Sequence, residues 1–415
     1  MAKKILVLAY VFSTLLTLHA AAADGPWPQW RGPNRDDLSI ESGLLQSWPA
    51  GGPEQLWSNQ NIGVGYSGPA VVGSRMYLMG VRDGEEMLLC LDVATGDEVW
   101  ASAVGKEFEN NWGNGPRGTP TVEGKFVYAL SGGGNLGCYQ LDNGEQVWVQ
   151  ALQDFGGKVP VWGYSESPLI HQEKLLITPG GGEGAIVALD KATGELLWQT
   201  KELTDDAHYS SMMLRQKSGK TMGVQLLVSQ LVGFDVQTGE LLWSQQWPGR
   251  VAVIPTPVFW RDCVYVTSGY GTGCMLVKIA DDFSTEVIYD NRFMSNHHGG
   301  VILLDDHIFG HADKKGWACQ DIATGKKVWL ERDSLDKGAI AYADGRFYCY
   351  GEDSGEVVLI EASTDGWQQH GRFKFEPQSD LRKPKGRIWT HPVIADGRLY
   401  LRDQELLYCY DIRAK

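Results

Sequence analysis

Polar and apolar positions along the chain follow a pattern of short strands joined by tight turns, and this pattern repeats. One copy begins with the aliphatic run 186–189, continues through an aspartate and a Thr-Gly turn, and ends in a second apolar run at Trp198. The aspartate side chain can hydrogen-bond the turn backbone, and glycine supplies the positive φ that such a turn needs. Each copy therefore predicts a β-hairpin.

Copies of this hairpin recur with a period of about 40 to 50 residues, which is typical of repeat architectures. Upstream of the hairpins, a Pro-x-Val start and a Tyr or Leu eight residues later indicate a further pair of strands, as at Pro69 and Tyr77. Each unit is therefore predicted to hold four strands. The inner hairpins of eight units end near Asp92, Asp142, Asp190, Asp235, Ala280, Asp321, Glu361 and Asp411.

The two ends of the chain complement each other. The last unit stops near Asp411 with no Trp-ended strand after it, whereas the segment 54–57 reads like 145–148 but stands alone before the first unit. We therefore predict an all-β, eight-bladed propeller of four-stranded antiparallel blades over residues 53–415. The N-terminal strand is expected to pair with the C-terminal blade, because closure removes exposed sheet edges.

The N-terminus resembles a secretory signal. Lys3 and Lys4 precede an apolar stretch over 5–18 and a run of small residues over 20–23, which predicts a signal peptide over 1–23. The apolar stretch is too short to span a membrane, and no later segment qualifies. With no cysteine at the cleavage region to carry a lipid anchor, we expect a periplasmic or secreted protein, with an N-terminal segment over 24–52.

Composition narrows the class of partner. The 51 glycines and 43% apolar residues agree with a packed all-β chain. A net charge of −14 disfavours nucleic acid as a partner, since that would need a positive field. Among the seven cysteines, Cys90, Cys319 and Cys409 fall two residues before the turn aspartate, a position that predicts small, buried, free thiols.

Strand alternation places the inter-blade loops on one face of the propeller and the Thr-Gly turns on the other. The inter-blade loops are richer in aromatic and ionisable residues, and their last residues converge around the axis. Such a mouth suits a polar, partly planar or sugar-like ligand, and the alternative is a water-filled hydrophilic channel. The candidate ligand-binding residues are Arg117, Tyr164, Glu166, Tyr209, Tyr270, Asn296, His297, His298 and Trp389.

Catalytic and metal-binding roles are weighed on a subset of these residues. The candidates for proton transfer are Glu166, His297, His298 and Tyr164. His297 with His311 and Asp313 form a candidate metal site, provided that the histidine segment is a loop. No nucleophile-elbow motif is present, so enzyme status stays open.

The Ala-x-Asp-x-x-Thr-Gly-x-x-x-Trp form, seen from Ala188 to Trp198, resembles the tryptophan-docking repeat of the pyrroloquinoline quinone (PQQ) propeller superfamily. The resemblance extends from about Trp27 to Asp411 and implies the eight-bladed fold of the quinoprotein alcohol dehydrogenases. The opening segment 27–35 resembles secreted single-domain PQQ-like proteins of planctomycete-type bacteria.

The resemblance also implies cofactors and partners. The dehydrogenases hold PQQ at the axis with a tryptophan floor, a vicinal disulfide and calcium; here Trp389 or Trp162 would stack on PQQ, and Glu166 and Asn296 would supply oxygen ligands to calcium. This chain has no adjacent Cys-Cys pair. A second similar type is the propeller scaffold of the outer-membrane β-barrel assembly machinery. Two hypotheses therefore stay open: a small-molecule or saccharide site, carbohydrate-related or quinoprotein-like, and a non-catalytic scaffold for a protein partner.

Overall fold

The computed structural model describes residues 26–415, which form eight four-stranded antiparallel sheets. The predicted all-β, eight-bladed propeller is confirmed. The signal peptide expected over residues 1–23 lies outside the described residues. Within 26–415, one short 3₁₀ helix occurs at Leu152–Phe155, and no helix has the length and apolarity needed to cross a membrane.

The strands are numbered along the chain. The blades are numbered 1 to 8 in chain order, beginning with the blade that contains β2. The first strand is β1 (Glu54–Asn59). Blades 1 to 4 consist of β2 (Ala70–Val72), β3 (Arg75–Arg82), β4 (Glu85–Asp92) and β5 (Glu98–Lys106); β6 (Thr121–Glu123), β7 (Phe126–Leu130), β8 (Asn135–Gln140) and β9 (Gln146–Ala151); β10 (Leu169–His171), β11 (Lys174–Ile177), β12 (Val187–Asp190) and β13 (Leu196–Gln199); and β14 (Met213–Lys217), β15 (Lys220–Leu226), β16 (Gln230–Asp235) and β17 (Leu241–Gln246). Blades 5 to 8 consist of β18 (Val258–Trp260), β19 (Cys263–Ser268), β20 (Gly273–Ile279) and β21 (Thr285–Asn291); β22 (Val301–Leu304), β23 (His307–Ala312), β24 (Gly316–Asp321) and β25 (Lys327–Glu331); β26 (Gly338–Ala343), β27 (Arg346–Gly351), β28 (Glu356–Glu361) and β29 (Gln369–Lys374); and β30 (Val393–Ala395), β31 (Arg398–Asp403) and β32 (Leu406–Asp411), completed by β1.

Ring closure uses the N-terminal strand, as predicted. Strand β1 pairs antiparallel with β32, from Glu54 opposite Asp411 to Asn59 opposite Leu407. Blade 8 therefore combines strands from both ends of the chain, and like the other blades it has four strands.

The core lies between the blades. Eight hydrophobic clusters of the described residues each join two neighbouring blades. The two middle strands of a blade read as nearly continuous buried runs, as in β31 and β32, because both of their faces pack against other blades. All seven cysteines are free and buried, as expected.

The repeated tryptophans join each blade to the next one. Trp57 Nε1 donates to the Val93 carbonyl of blade 1 at 3.0 Å, and its ring covers the turn glycine Gly96, where a Cβ would lie 2.5 Å from the ring. The same docking recurs at Trp100, Trp148, Trp198 and Trp329. In blade 5, Tyr289 takes over with a 2.7 Å bond to the Ile322 carbonyl. Trp243 departs from the pattern, because the turn of blade 5 that it would cover lacks the Thr-Gly pair. The Trp243 indole N–H instead donates to Met222 Sδ at 3.1 Å.

The N-terminal segment enters the central channel. Trp27 pairs antiparallel with Val71 of β2, and Leu38 pairs parallel with Tyr342 of β26. The chain therefore runs up the channel, turns between these two bridges and runs back down. We call residues 26–45 the axial hairpin.

The axial hairpin contacts every blade. Arg35 alone reaches the carbonyls of Ser167, Pro168 and Met212 in blades 3 and 4. The remaining blades are joined through the pairs Trp27–Val71, Pro28–Val122, Trp30–Thr256, Arg31–Val301, Asp37–Tyr342 and Leu45–Ile412. A ring held at its axis in this way is stabilised independently of the outer tryptophans.

Candidate functional site

A cavity opens at the axis on the face that carries the inter-blade loops. It encloses about 1150 Å³ of empty space, counting its open mouth. The axial hairpin closes its lower end with Trp30 and Arg31, and the walls come from the loops that lead into the innermost strands. The channel is thus converted into a blind pocket by the N-terminal segment.

Aromatic rings form a continuous series around this cavity. Trp112 lies 6.4 Å from both Trp162 and Trp389, measured between ring centroids, and Trp162 lies 5.7 Å from Tyr209. On the other side the series continues from Trp389 through His298 and His297 to Tyr270. The indole N–H groups of Trp112 and Trp162 and the hydroxyl of Tyr270 have no hydrogen-bond partner among the described residues. The walls therefore combine flat apolar faces with unused hydrogen-bond donors.

Arg117 is the cation of one wall. Its guanidinium donates to the carbonyls of Gly115 and Gly113, the latter at 2.6 Å, and lies over the ring of Tyr66. No carboxylate among the described residues lies within 4 Å of it. Burial lowers the pKa of Arg117, and nearby Tyr66 and Glu86 oppose that shift.

The opposite wall rests on a network around Glu352. Glu352 accepts hydrogen bonds from His298 Nε2 at 2.6 Å, Trp389 Nε1 at 3.0 Å and Lys337 Nζ at 3.0 Å. Burial alone would raise the pKa of Glu352, but the hydrogen bonds from His298 and Lys337 and the Lys337 charge lower it to about 2. This carboxylate is therefore ionised, and it orients a wall histidine and a wall tryptophan from behind.

The histidines of this wall are neutral. Burial, the neighbouring His298 and the charge of Lys337 lower the pKa of His297 to about 3, and Lys337 Nζ donates to its Nδ1 at 3.0 Å. Burial also lowers the pKa of His298, against the influence of Glu352. Because Glu352 is ionised, the proton of neutral His298 is on Nε2, which donates to the carboxylate, and Nδ1 is left unprotonated.

The floor is held by a buried ion pair. Arg31 Nε lies 2.6 Å from Asp37 Oδ2, and both side chains are 1% exposed. His391 lies 3.5 Å from the same carboxylate oxygen and contacts the Trp30 ring edge-to-face at 4.6 Å. Trp30 itself donates to Thr256 Oγ1, so its ring is fixed in position.

Six of the nine predicted ligand-binding residues line the cavity: Arg117, Tyr209, Tyr270, His297, His298 and Trp389. The other three, Tyr164, Glu166 and Asn296, lie outside it and are almost completely buried. Tyr164 donates to the Pro179 carbonyl at 2.8 Å.

Alternation along the chain explains the first two departures. Ser165 faces the cavity, so its neighbours on either side point between the blades. There Glu166 accepts hydrogen bonds from Thr178 N and Gln225 Nε2, and burial raises its pKa to about 7. Asn296 is occupied by the Gly300 and His311 carbonyls, to which its amide donates. Glu166 and Tyr164 are accordingly withdrawn as candidates for proton transfer.

The predicted metal site does not assemble. His311 packs edge-to-face on Trp317, and Asp313 accepts from the Tyr270 backbone N–H and lies 3.8 Å from Lys337. Among residues 26–415, no group of three His, Cys, Asp or Glu side chains is placed to hold a metal ion. His297 lines the wall of the cavity.

Sequence reasoning missed several residues of the site. Trp30 and Arg31 come from the axial hairpin, which no repeat pattern predicts to reach the axis. Glu352 lies in the turn between β27 and β28, and such turns share the face of the inter-blade loops. This rule of strand alternation is the signal that could have identified Glu352, because the sequence around it contains no other motif.

A sequence profile of the PQQ_2 family, described as outer membrane protein assembly factor BamB, matches residues 84–331, more than half of the 415-residue chain. The chain belongs to the PQQ-like β-propeller family.

Two relatives carry the same description. Outer membrane protein assembly factor BamB of Burkholderia pseudomallei (strain K96243) is 27% identical over 394 residues, covering 89% of this chain and 91% of that protein. The protein of the same name from Bordetella pertussis (strain Tohama I / ATCC BAA-589 / NCTC 13251) is 25% identical over 274 residues, covering 65% of this chain and 56% of that protein.

Solved structures share the fold. Quinohemoprotein alcohol dehydrogenase from Comamonas testosteroni superposes with a TM-score of 0.62 at 14% identity, over 95% of this chain and 82% of that chain. The computationally designed Ika8 protein superposes with a TM-score of 0.58 at 13% identity, over 86% of this chain and all of that chain. At such identities the likeness concerns the fold alone.

The cavity does not fit a calcium-held quinone. Calcium is bound by six to eight oxygen ligands. The oxygen donors that the resemblance implied, Glu166 and Asn296, lie outside the cavity and are almost completely buried. The Glu166 oxygens accept from Thr178 and Gln225, and Asn296 is fixed by its amide N–H bonds to the Gly300 and His311 carbonyls. Within the described part of the chain, no Asp or Glu side chain lines the cavity. We therefore assign no quinone chemistry to it.

Proposed function

We propose that the axial cavity binds a saccharide. The observation that carries this proposal is the continuous aromatic wall with unused donors, in which Trp112, Trp162 and Tyr270 each offer a flat ring and a free N–H or O–H group. Sugar rings present an apolar face of C–H groups and a rim of hydroxyls, and aromatic side chains with a polar tip match both features.

The side chains of the cavity wall are held in place by hydrogen bonds, which supports ligand binding at a preformed site. His298 and Trp389 are held by the same Glu352 oxygen, and Trp30 is held by Thr256. Side chains that are already ordered lose little freedom when a ligand arrives, so more of the interaction free energy appears as affinity.

The chemistry of the wall supports binding without cleavage. Glycoside hydrolysis uses a pair of carboxyl groups that flank the scissile bond. Glu352 stands behind Trp389 and His298, and its pKa of about 2 keeps it from donating a proton at neutral pH. The function proposed for this propeller is therefore saccharide binding, and no catalytic step is assigned to it.

A titration of the intrinsic tryptophan fluorescence with a panel of oligosaccharides, followed by calorimetry, tests this proposal. We expect saturable binding that Trp112→Ala and Trp162→Ala each weaken by roughly 10-fold, the value of one stacking contact. The matched control is Trp260→Ala, at the end of β18 on the opposite face. Equal affinity in the wild type and both mouth variants would refute the proposal.

A second candidate, a scaffold for a protein partner, is favoured by a different observation. Val161, Val251 and Leu381 are exposed by 73%, 56% and 55% and stand on three separate loops of the mouth face. The relatives described as outer membrane protein assembly factor BamB add weight to this candidate. Co-purification with chemical cross-linking should then recover a partner that Val161→Asp with Leu381→Asp releases, whereas Trp260→Ala retains it. Recovery that is unchanged in the double variant would contradict the scaffold role of this face.

A further inference from the structure

The charges around the cavity are unevenly balanced. At the floor, Arg31 is neutralised by Asp37, and on the far wall Lys337 is neutralised by Glu352 and lies 3.8 Å from Asp313. Arg117, on the near wall, has no described carboxylate within 4 Å. An uncompensated cation that is partly removed from water is costly, so its position calls for a ligand that supplies the opposite charge.

Glu86 does not fill that role. Its carboxylate is fully buried and accepts from the backbone N–H groups of Phe108 and Gly132 at 3.0 and 2.7 Å. Burial raises its pKa to about 7, so it carries only part of a negative charge at neutral pH. Glu86 therefore neutralises only a small part of the Arg117 charge, and an anionic ligand in the cavity could neutralise the rest.

A basic loop extends the same side of the mouth. Residues 382–387 contain four basic side chains in a chain whose net charge is −14. Arg382 and Arg387 are paired with Asp403 and Asp353, respectively. Lys383 and Lys385 are exposed and have no described carboxylate within 4 Å. We call Arg117, Lys383 and Lys385 the cationic side of the mouth.

The cationic side is continuous with the aromatic wall. Lys385 Nζ lies 5.5 Å from the centre of the Trp112 ring, and a Cβ on Gly386 would lie 2.7 Å from the Trp112 carbonyl and 3.2 Å from Tyr66 Oη. Arg117 in turn lies over the ring of Tyr66. A ligand stacked on Trp112 would thus have Lys385 and Arg117 along one edge, with Lys383 two residues before Lys385 on the same exposed loop.

We infer that the saccharide bound by this cavity is an acidic one, with an anionic group on Arg117 and a further anionic group over Lys383 and Lys385. This inference rests on the proposed function and names the ligand class within it. Carboxylate and sulfate groups share the chemistry that the three cations recognise. The planar fork of the Arg117 guanidinium suits either group through paired hydrogen bonds.

The test compares sugars that differ only in charge. Trigalacturonic acid is titrated beside its trimethyl ester, and a sulfated galactan trisaccharide beside its desulfated form, each by calorimetry at low and at physiological salt. We expect the acidic member of at least one pair to bind 10-fold tighter or more at low salt, with the margin narrowing as salt rises, since exposed charges are screened. The pair that shows the margin identifies the carboxylate or the sulfate as the source.

Variants assign the margin to residues. Arg117→Gln should remove most of it, by roughly 10- to 100-fold, as expected for a lost charge-assisted hydrogen bond. Lys383→Gln with Lys385→Gln, on an exposed loop, should remove a smaller and more salt-dependent part. Lys326→Gln with Lys327→Gln, at the start of β25 beside the Thr-Gly turn on the opposite face, is the matched control and should leave the margin unchanged.

The outcomes separate the two proposals. If the neutral members bind as tightly as the acidic ones, the acidic-saccharide inference is wrong while the saccharide site stands. If no member of either pair binds, both are wrong. A margin that survives in Arg117→Gln and in the double lysine variant would also overturn the inference, because the cationic side would then have no part in it.

Discussion

The two faces of this propeller use the same kinds of residue for different purposes. On the face of the Thr-Gly turns, Trp100 donates its indole N–H to the Leu141 carbonyl of the next blade, and its ring covers Gly144. On the mouth face, Trp112, twelve residues later, is 40% exposed and keeps its indole N–H free. Repetition marks residues that join blades, and departure from the repeat marks residues that are available to a ligand.

Charge follows the same division. The turn aspartates on the Thr-Gly face accept hydrogen bonds from their own turn backbone, as Asp190 does from Ala192 and Thr193. On the mouth face, Glu352 instead connects side chains from three loops. Local bonds are recoverable from a repeat motif, and bonds between distant loops are not.

The largest expected effect is the loss of a docking tryptophan. Trp148→Ala removes the bond to the Lys191 carbonyl and the contacts with Tyr128 and the turn glycine Gly194. We expect a loss of about 3 to 5 kcal/mol in the free energy of unfolding, as for other buried aromatic deletions. Denaturant unfolding followed by circular dichroism measures it. A loss below about 1 kcal/mol would break the assignment of the repeated tryptophans to packing.

The axial hairpin tests whether the two faces are coupled. Arg35→Met removes the side-chain donor to the buried Ser167 and Met212 carbonyls and leaves the Pro168 carbonyl with Thr121 Oγ1 alone, which should cost about 2 to 4 kcal/mol. Because Trp30 belongs to the same hairpin, the saccharide affinity should fall as well, whereas Trp148→Ala should leave the affinity of the folded protein unchanged. An affinity that is insensitive to Arg35→Met would show that the floor is positioned by the ring alone.

Acid should weaken the mouth face first. Burial, Lys337 and His298 lower the pKa of His311 to about 3, although Glu352 opposes the shift. A histidine whose folded pKa is depressed contributes stability above its unfolded value of 6.5, and that contribution is lost as the pH falls from about 6.5 towards 3. Glu352, with a pKa lowered to about 2, loses its contribution only below its ordinary value of 4.5.

His311→Gln isolates the histidine part of this loss. Between pH 7 and pH 4.5 the wild type should lose roughly 2 to 3 kcal/mol more than the variant. Urea unfolding at the two pH values measures the difference. The control is Cys319→Ala in the neighbouring strand β24, which alters the core but keeps the His311 imidazole and should therefore show the wild-type pH dependence. Identical pH dependence in wild type and His311→Gln would contradict a buried neutral imidazole.

The fold was predictable because it rests on local, repeated chemistry. Each Asp, Gly and Trp of the hairpin has its role within about ten residues of sequence or at the same place in the next repeat, so eight copies reinforce one interpretation. Ring closure followed from the unpaired segment 54–57, which the structure places on β32. The exceptions, such as Trp243, occur where the motif itself is degraded.

The site was predictable only in part, for two physical reasons. Side-chain direction alternates along an extended strand, so a correct loop still gave the wrong neighbours at Tyr164 and Glu166. The floor comes from a segment far away in sequence, and Trp30 meets Thr256 across 226 residues. A single sequence carries no periodic signal for such a contact.

The smallest expected effect on stability concerns one of a matched pair of tryptophans, Trp100 on the Thr-Gly face and Trp112 on the mouth face. Trp112→Ala should lower the free energy of unfolding by only about 1 kcal/mol, because the ring is 40% exposed, lies 6.4 Å from its two tryptophan neighbours and has no hydrogen-bond partner for its indole N–H. Trp100→Ala, which loses an interblade bond and its contact with Tyr77, should cost several-fold more. Saccharide affinity should show the reverse order, because only Trp112 faces the cavity. Measuring stability and affinity on the same two variants therefore distinguishes a functional tryptophan from a structural one, and parallel losses in both properties would remove the distinction between the faces.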